Sequence, residues 1–438
     1  MAGGTFTMQN KVRPGVYVNV GGKGQAVGTL GSRGIAAMAL PLSWGAPQKM
    51  MTFEAGEDSL VKLGYELNAG SMLPVREVLK RAKTLLLYRL NTGEKASVTI
   101  GQLTATAKYG GIRGNDLTIV IENNIDDSAK YDVKTFVDKA QADQQTVTTI
   151  SELKANDWID WTGAGGLTSS AGAPLAGGTD GAVTNADHLG FLAALELLDF
   201  NTAAYVGTDN TLKNVYTSFV KRLRDDEGKK VQAVVENYPA ADYEGVISVK
   251  NGVVLGDGTV LTAAQATAWV AGATAAADVN QSLTYSVYDD AVDVSPRYTN
   301  SQINAALQNG EFVFTASNGK AVVEQDINSF TSFTAEKTKA FSKNRVIRVL
   351  DGINNDFVRI FSDYYLGKVS NNAAGRNLLK SECINNISML QGIGAVQNFD
   401  AQNDISVYAG LETDAVGIDL NVQPVDSVEK IYITVTVN

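Results

Sequence analysis

One histidine and one cysteine stand among 438 residues, and that scarcity narrows the available chemistry at once. His188 follows Asp187 at the head of an apolar segment, where a neutral structural role is a better reading than a general base. With one histidine, Cys383 cannot complete a zinc site. Ser32 sits in Gly31-Ser32-Arg33-Gly34, but Leu30 occupies the place of the leading glycine that a Gly-x-Ser-x-Gly nucleophile turn requires. The run Gly21-Gly22-Lys23-Gly24-Gln25-Ala26-Val27-Gly28 is neither a phosphate loop nor followed by a helical pattern, so it reads as turns. Asp289, Asp290 and Asp293 could ligate a hard cation, yet their spacing matches no calcium loop. Asp225-Asp226-Glu227 likewise reads as a solvated loop. The residues point to no catalytic centre, no metal and no cofactor, so an enzyme is the weaker class of function.

The chemistry that the sequence does advertise belongs to the main chain. Ile431-Tyr432-Ile433-Thr434-Val435-Thr436-Val437-Asn438 alternates apolar and polar side chains to the last residue, and Val16-Tyr17-Val18-Asn19-Val20 does the same near the start. A period of two is the signature of a half-buried strand. A strand also carries a row of N–H and C=O groups that template another strand. Either these ends close sheets within their own chain, or they join one chain to the next.

The chain is long enough for two to four domains. No apolar run is long enough to span a bilayer, the start lacks the basic-then-apolar layout of a secretory signal, and a single cysteine fits a reducing cytosol. The net charge of −10 disfavours nucleic acid as the main partner. Its distribution is uneven: residues 1–95 carry 12 Lys/Arg against 6 Asp/Glu, 96–335 carry 15 against 29, 336–380 carry 9 against 4, and 381–438 carry 1 against 8. Two basic segments thus flank an acidic middle. They are either solvated faces or parts of one surface that meets an acidic partner.

Periodicity divides the chain further. Residues 1–20 read as an N-terminal arm and 426–438 as a C-terminal one. Residues 21–95 hold Ile35–Leu40, a helix over 74–83 opened by Pro74, and a buried strand over 85–90. Residues 96–180 alternate Thr, Val and Ile in short strands, which suggests an inserted small β-sandwich or barrel, with the glycines of 163–166 and 177–181 as its linker. Residues 181–334 alternate helix and strand, implying an α/β domain with a mainly parallel sheet. Over 335–425 a long helix places Val346, Leu350, Ile353, Phe357, Ile360 and Tyr364 on one face, with Gly352 as a kink or break, and a second helix runs over 373–390. The expected fold is a multidomain α+β and α/β chain: a core α+β domain from 21–95 and 335–425 with strand arms at both ends, carrying the two inserted domains.

Gly3-Gly4-Thr5-Phe6, Arg13-Pro14-Gly15-Val16-Tyr17-Val18-Asn19, Pro41-Leu42-Ser43-Trp44-Gly45, the acidic α/β middle and Lys343-Asn344-Arg345-Val346-Ile347-Arg348-Val349-Leu350-Asp351 occur in an order that resembles contractile-tail sheath proteins. The likeness runs along the whole chain and is nearest to the compact sheaths of Gram-positive myophage prophages and phage-tail-like bacteriocins. It implies a non-enzymatic structural subunit, built into stacked hexameric rings around an inner tube and contracting to drive that tube through a target envelope. The implied partners are further copies of the chain, the inner tail tube protein, and baseplate and tail-terminator proteins, without nucleic acid or membrane insertion. The implied location is a virion tail or phage-tail-like particle assembled in the bacterial cytoplasm. On this reading Val16, Val18, Val20, Ile431, Ile433, Val435 and Val437 are strands lent to neighbours, and Lys337, Lys339, Lys343, Arg345 and Arg348 are candidates for the tube contact. The rivals are a secreted self-assembling surface or adhesive protein and a subtilisin-like α/β hydrolase. The first should carry a secretion signal, and the second a matched nucleophile, histidine and acid.

Overall fold

A computed structural model describes residues 28–437, together with the backbone of Ala2–Gly4 and Gly15–Tyr17. The chain packs as two compact units, Ser32–Asp351 with Asp426–Asn438, and Met1–Gly31 with Gly352–Val425.

The larger unit is organised by a seven-stranded sheet in the spatial order Glu311–Phe312, Val246–Val249, Gln232–Glu236, Thr202–Ala204, Ile35–Leu40, Thr84–Arg89, Met50–Glu54. Every pairing is parallel except that of the edge strand Met50–Glu54, which runs antiparallel to Thr84–Arg89. Both faces are covered, so the strands read as near-continuous apolar runs rather than alternating ones. Alternation decides which helix each side chain meets. Ala37, Leu86, Tyr88, Ala203, Ala233 and Val235 pack with Phe191, Leu195, Tyr216 and Val220 of the helices Asn185–Glu196 and Asn210–Asp225. Their neighbours Ala36, Met38, Leu85 and Leu87 point the other way, to Val75 and Val78 of helix Leu73–Leu79 and Ala268 and Ala275 of helix Ala263–Ala276. The latter helix begins with a capping box between Thr262 and Gln265, which satisfies two of its orphan N–H groups.

The sheet revises the expected division. Periodicity expects 21–95 to share one core domain with 335–425, but the strands Ile35–Leu40, Met50–Glu54 and Thr84–Arg89 lie in the same sheet as those of 181–334. Pattern along the chain identifies a parallel strand without identifying its neighbours, which are far away in sequence.

The segment expected to be a β-sandwich does form two sheets, 140–147, 131–137, 117–123, 170–174 and 159–163, 103–107, 97–100, around Leu103, Leu117, Ile119, Val133, Trp158 and Ile159. Its glycines are no loose linker. Entry and exit pair as strands, Gly93 with Asp180 and Glu94 with Thr179. Gly111 lies at φ +140°, and a Cβ there would stand 2.0 Å from the Ser43 carbonyl. The buried Arg89 donates to the carbonyls of Gly45 and Gly110, both at 2.7 Å. Arg113 then bolts the sandwich down: it donates to Gly64 O at 2.7 Å, grips Asp138 through two bonds of 2.8 and 2.9 Å, and lies over the Tyr65 ring.

In the smaller unit, helix Ala373–Gly392 is capped by the Asn372 side chain. Cys383, Ile387, Leu390, Ala395, Val396 and Ile405 are buried in it. Helix Asn344–Tyr364 runs through Gly352, so no break falls there; one interior glycine costs only about 1 kcal/mol. Gly28 lies where a Cβ would come 2.4 Å from Ile360 and 2.6 Å from Glu382, and its N–H donates to that carboxylate at 3.0 Å. Ile405–Ala409 and Val416–Leu420 form a two-stranded antiparallel hairpin.

Two measurements check this packing. Arg224 makes a buried double hydrogen bond to Asp351 at 2.6 and 2.8 Å, and removing one partner strands the other charge. Arg224→Ala or Asp351→Ala should each cost about 3–5 kcal/mol and lower Tm, whereas the double replacement by Met and Leu should cost much less. Separately, the bonds from Arg113 hold the Asp138 carboxyl below its usual range. A depressed carboxylate contributes stability that is complete above the unfolded value of about 3.9 and is lost as pH falls through the folded one. The Tm gap between the native protein and Asp138→Asn should therefore be constant near neutrality and close in acid below about pH 4.

Candidate assembly surfaces

Most of the candidates for chemistry are buried or engaged by structural partners. His188 is buried, with Nδ1 3.1 Å from the Tyr216 hydroxyl and its ring edge-on to Tyr205. Burial lowers its pKa and favours the neutral ring. Burial pushes the Cys383 thiol up to about 12, far from a reactive thiolate. Arg33, in the glycine-flanked serine turn, caps helix Ala263–Ala276 through the carbonyls of Thr274 and Ala277. Asp289 is held by Arg81 at 2.6 and 3.0 Å and by the Trp269 indole at 2.8 Å. Asp293 pairs with Arg297, and Asp225 accepts from Tyr243. Among the described residues no cluster of His, Cys, Asp and Glu could hold a metal ion. Among the described residues no helix is long and apolar enough to cross a membrane.

The five basic residues do not share one helical face. Lys337, Lys339 and Lys343 precede the helix, which starts at Asn344. Lys337 reaches Glu244 at 2.5 Å, and Lys343 is turned inward onto Glu429. Arg348 is buried at 1 % exposure, donating to Gln281 O at 2.5 Å and Asp326 at 3.3 Å. Spacing had placed it opposite the apolar stripe, but the helix is covered on that side too, and its counter-ion comes from a loop distant in sequence. Arg345 is half-buried and Lys339 is exposed. What faces outward is a small patch around Lys339.

The ends are different. Ile431, Ile433, Val435 and Val437 are 76, 80, 81 and 90 % exposed, and residues 427–437 belong to no strand here. Tyr432, on the alternate face, is 88 % exposed. Isolated exposed apolar residues are ordinary, whereas a regular series of them marks a contact surface. The root of this segment is fixed at Glu429, which accepts from Thr284 at 2.8 Å and Gln325 at 2.6 Å and pairs with Lys343. At the other end, the backbone of Gly15–Tyr17 pairs in parallel with Ala2–Gly4, Val16 standing opposite Gly3. Val18 and Val20 lie outside the described residues. The inward acidic root of the C-terminal segment is the feature that sequence reading missed, and only the break in alternation at Glu429-Lys430 could have signalled it.

Comparison with known proteins gives this arrangement a context. Four family models match in succession: the tail sheath protein Gp18 domain III N-terminal region over 33–90, the phage tail sheath protein beta-sandwich domain over 91–180, the central domain over 181–329, and the C-terminal domain over 336–438. The crystal structure of a sheath tail protein from Desulfitobacterium hafniense is 64 % identical, with TM-score 0.88 over 96 % of this chain and 99 % of that one. A sheath tail protein from Listeria innocua is 42 % identical, with TM-score 0.80 over 93 % and 96 %. In Bacillus subtilis strain 168, the phage-like element PBSX protein XkdK is 41 % identical over the full length of both chains. The contracted helical sheath of the anti-feeding prophage shares the fold at 13 % identity and TM-score 0.58. These relatives are structural proteins rather than enzymes, and the agreement of whole-length identity, domain order and three-dimensional fold makes this chain a member of the phage tail sheath protein family.

Proposed function

We propose that this subunit assembles through its terminal strands into stacked hexameric rings around an inner tail tube. Contraction of that assembly then drives the tube through a target cell envelope. The observation that carries this reading is the exposed alternation of Ile431–Val437, together with a hairpin, Ile405–Ala409 and Val416–Leu420, that pairs with no third strand among the described residues. A two-stranded ribbon is marginal alone, and strand addition from a neighbour would satisfy its edge groups and cover the apolar side chains together. When such head-to-tail links do not close, they generate helical assemblies.

The magnitudes suit a mesh. Burying four Val/Ile side chains returns about 6–12 kcal/mol at roughly 1.5–3 each, while ordering seven backbone residues costs about 7–14 kcal/mol at 1–2 each. The ladder hydrogen bonds add about 0.5–1.5 kcal/mol apiece. One arm is therefore weak, and many in register are strong. Arms of this kind would let subunits turn without dissociating, so contraction can draw on a packing difference between two assembled states. The further partners are the inner tube, baseplate and tail-terminator proteins, and the place of action is the tail of a virion or phage-tail-like particle assembled in the bacterial cytoplasm. The patch around Lys339, with the outer parts of Lys337 and Arg345, is the proposed tube contact.

Deleting residues 431–438 should leave folded, soluble monomers or small oligomers by size-exclusion chromatography, and negative-stain images should lose their striated tubes; normal tubes would refute the linking role. Lys339→Glu should weaken attachment of sheath to purified tube in co-sedimentation, with the deficit shrinking as salt rises. Unchanged attachment would place the tube contact elsewhere.

A further inference from the structure

The C-terminal segment is exposed except where it is gripped. Glu429 Oε1 accepts from Thr284 Oγ1 at 2.8 Å, Oε2 accepts from Gln325 Nε2 at 2.6 Å, and Oε2 also takes the ion pair from Lys343. The side chains of Lys343 and Glu429 are only 13 and 11 % exposed, so salt screens them little. Val428 on one side of the carboxylate is 83 % exposed and Ile431 on the other 76 %.

The grip is built on a rigid base. Thr284 Oγ1, while donating to Glu429, accepts the Asp326 N–H at 3.0 Å. Asp326 in turn accepts from Leu283 N at 3.0 Å, Asn344 Nδ2 at 2.9 Å and Arg348. The socket for Glu429 therefore belongs to the network that seats the start of helix Asn344–Tyr364. It lies in a cleft of about 910 Å3 whose walls include Leu307, Phe330 and Phe333 besides residues 426–430. Burial opposes the charge on Glu429, but Lys343, Gln325 and Thr284 more than offset it and hold the carboxyl below the usual glutamate range.

We infer that Glu429 is a positioning residue for assembly: its grip in the Thr284–Gln325–Lys343 socket sets the point and length from which the C-terminal strand reaches a second copy of the chain. The inference rests on the strand-exchange reading above. Measured from the grip, residues 430–438 span at most about 32 Å at 3.3–3.6 Å per residue. Release would free residues 426–429 as well and add roughly 13 Å. A longer tether dilutes the strand at its acceptor, and it admits pairing displaced by one residue. That displacement would turn every Ile and Val of the arm to the wrong face. The grip thus governs rate and register of assembly, and the fold of the subunit does not depend on it.

The experiment uses the full-length protein. Glu429→Ala should keep the monomer Tm, raise amide hydrogen exchange across 426–432, and slow tube growth about tenfold while giving short or irregular tubes. Glu429→Gln, which keeps the shape, should fall between the two and serves as the reading variant if the alanine form loses Tm. Exchanging the charges, Lys343→Glu with Glu429→Lys, should recover regular tubes, which a merely structural role for either residue alone would not produce. Wild-type growth and regularity in Glu429→Ala and Glu429→Gln would overturn the inference. The companion deletion of 431–438 separates the levels. If it abolishes tubes while Glu429→Ala assembles normally, strand exchange stands and the grip falls. If it assembles normally, both fall.

Discussion

A segment with the alternation of a strand and no partner beside it is the constraint on which the rest of this molecule turns. Backbone N–H and C=O groups demand partners, and an apolar face demands cover. The segment 431–437 has neither within the described chain, although its alternation is the most regular in the sequence. The hairpin Ile405–Ala409 and Val416–Leu420 presents the complementary deficit, two strands that no third strand joins among the described residues. In the proposed assembly these deficits cancel between copies, and the interface is made largely of main-chain bonds. Such bonds tolerate some rotation, yet they are strict about register.

Joints of that kind require a body that does not deform. The larger unit supplies one through a sheet covered on both faces and through buried charges that are paired. Arg224 with Asp351 and Arg348 with Asp326 are buried pairs that tie together segments apart in sequence, and the buried Arg113 grips the exposed Asp138. Buried pairs are weak evidence for net stability, but they are specific about geometry, since a misplaced partner leaves a bare charge. The glycines at the neck of the sandwich act in the same sense: Gly111 admits the backbone of Ser43 so closely that the inserted domain has one seat. Rigid where it is packed and loose where it is alternating, the subunit divides its sequence between body and joints.

Much of that division was legible in the residues. The βαβ rhythm of 181–334, the Thr/Val/Ile strands of the sandwich and the helices over 344–364 and 373–392 follow from local periodicity, which is a local property. The failures are non-local. Ile35–Leu40 pairs with strands beginning at Thr84 and Thr202, and no spacing announces that. Arg348 lies opposite the apolar stripe and yet is buried, because Asp326 receives it; Lys343 turns inward because Glu429, 86 positions away, is waiting. A run of basic residues therefore looked like a surface when two of its members are interior. The candidate site was half legible for the same reason: the alternation of the C-terminal arm is written in sequence, while the socket that roots it exists only in three dimensions.

The most direct test is the structure of the assembled protein by electron cryomicroscopy, traced through residue 438. The account predicts that 431–437 forms a β-strand paired with the hairpin Ile405–Ala409 and Val416–Leu420 of a neighbouring copy, with Ile431, Ile433, Val435 and Val437 buried there. A trace in which this segment folds back to pair within its own chain, or stays unpaired in the assembled tube, would contradict it.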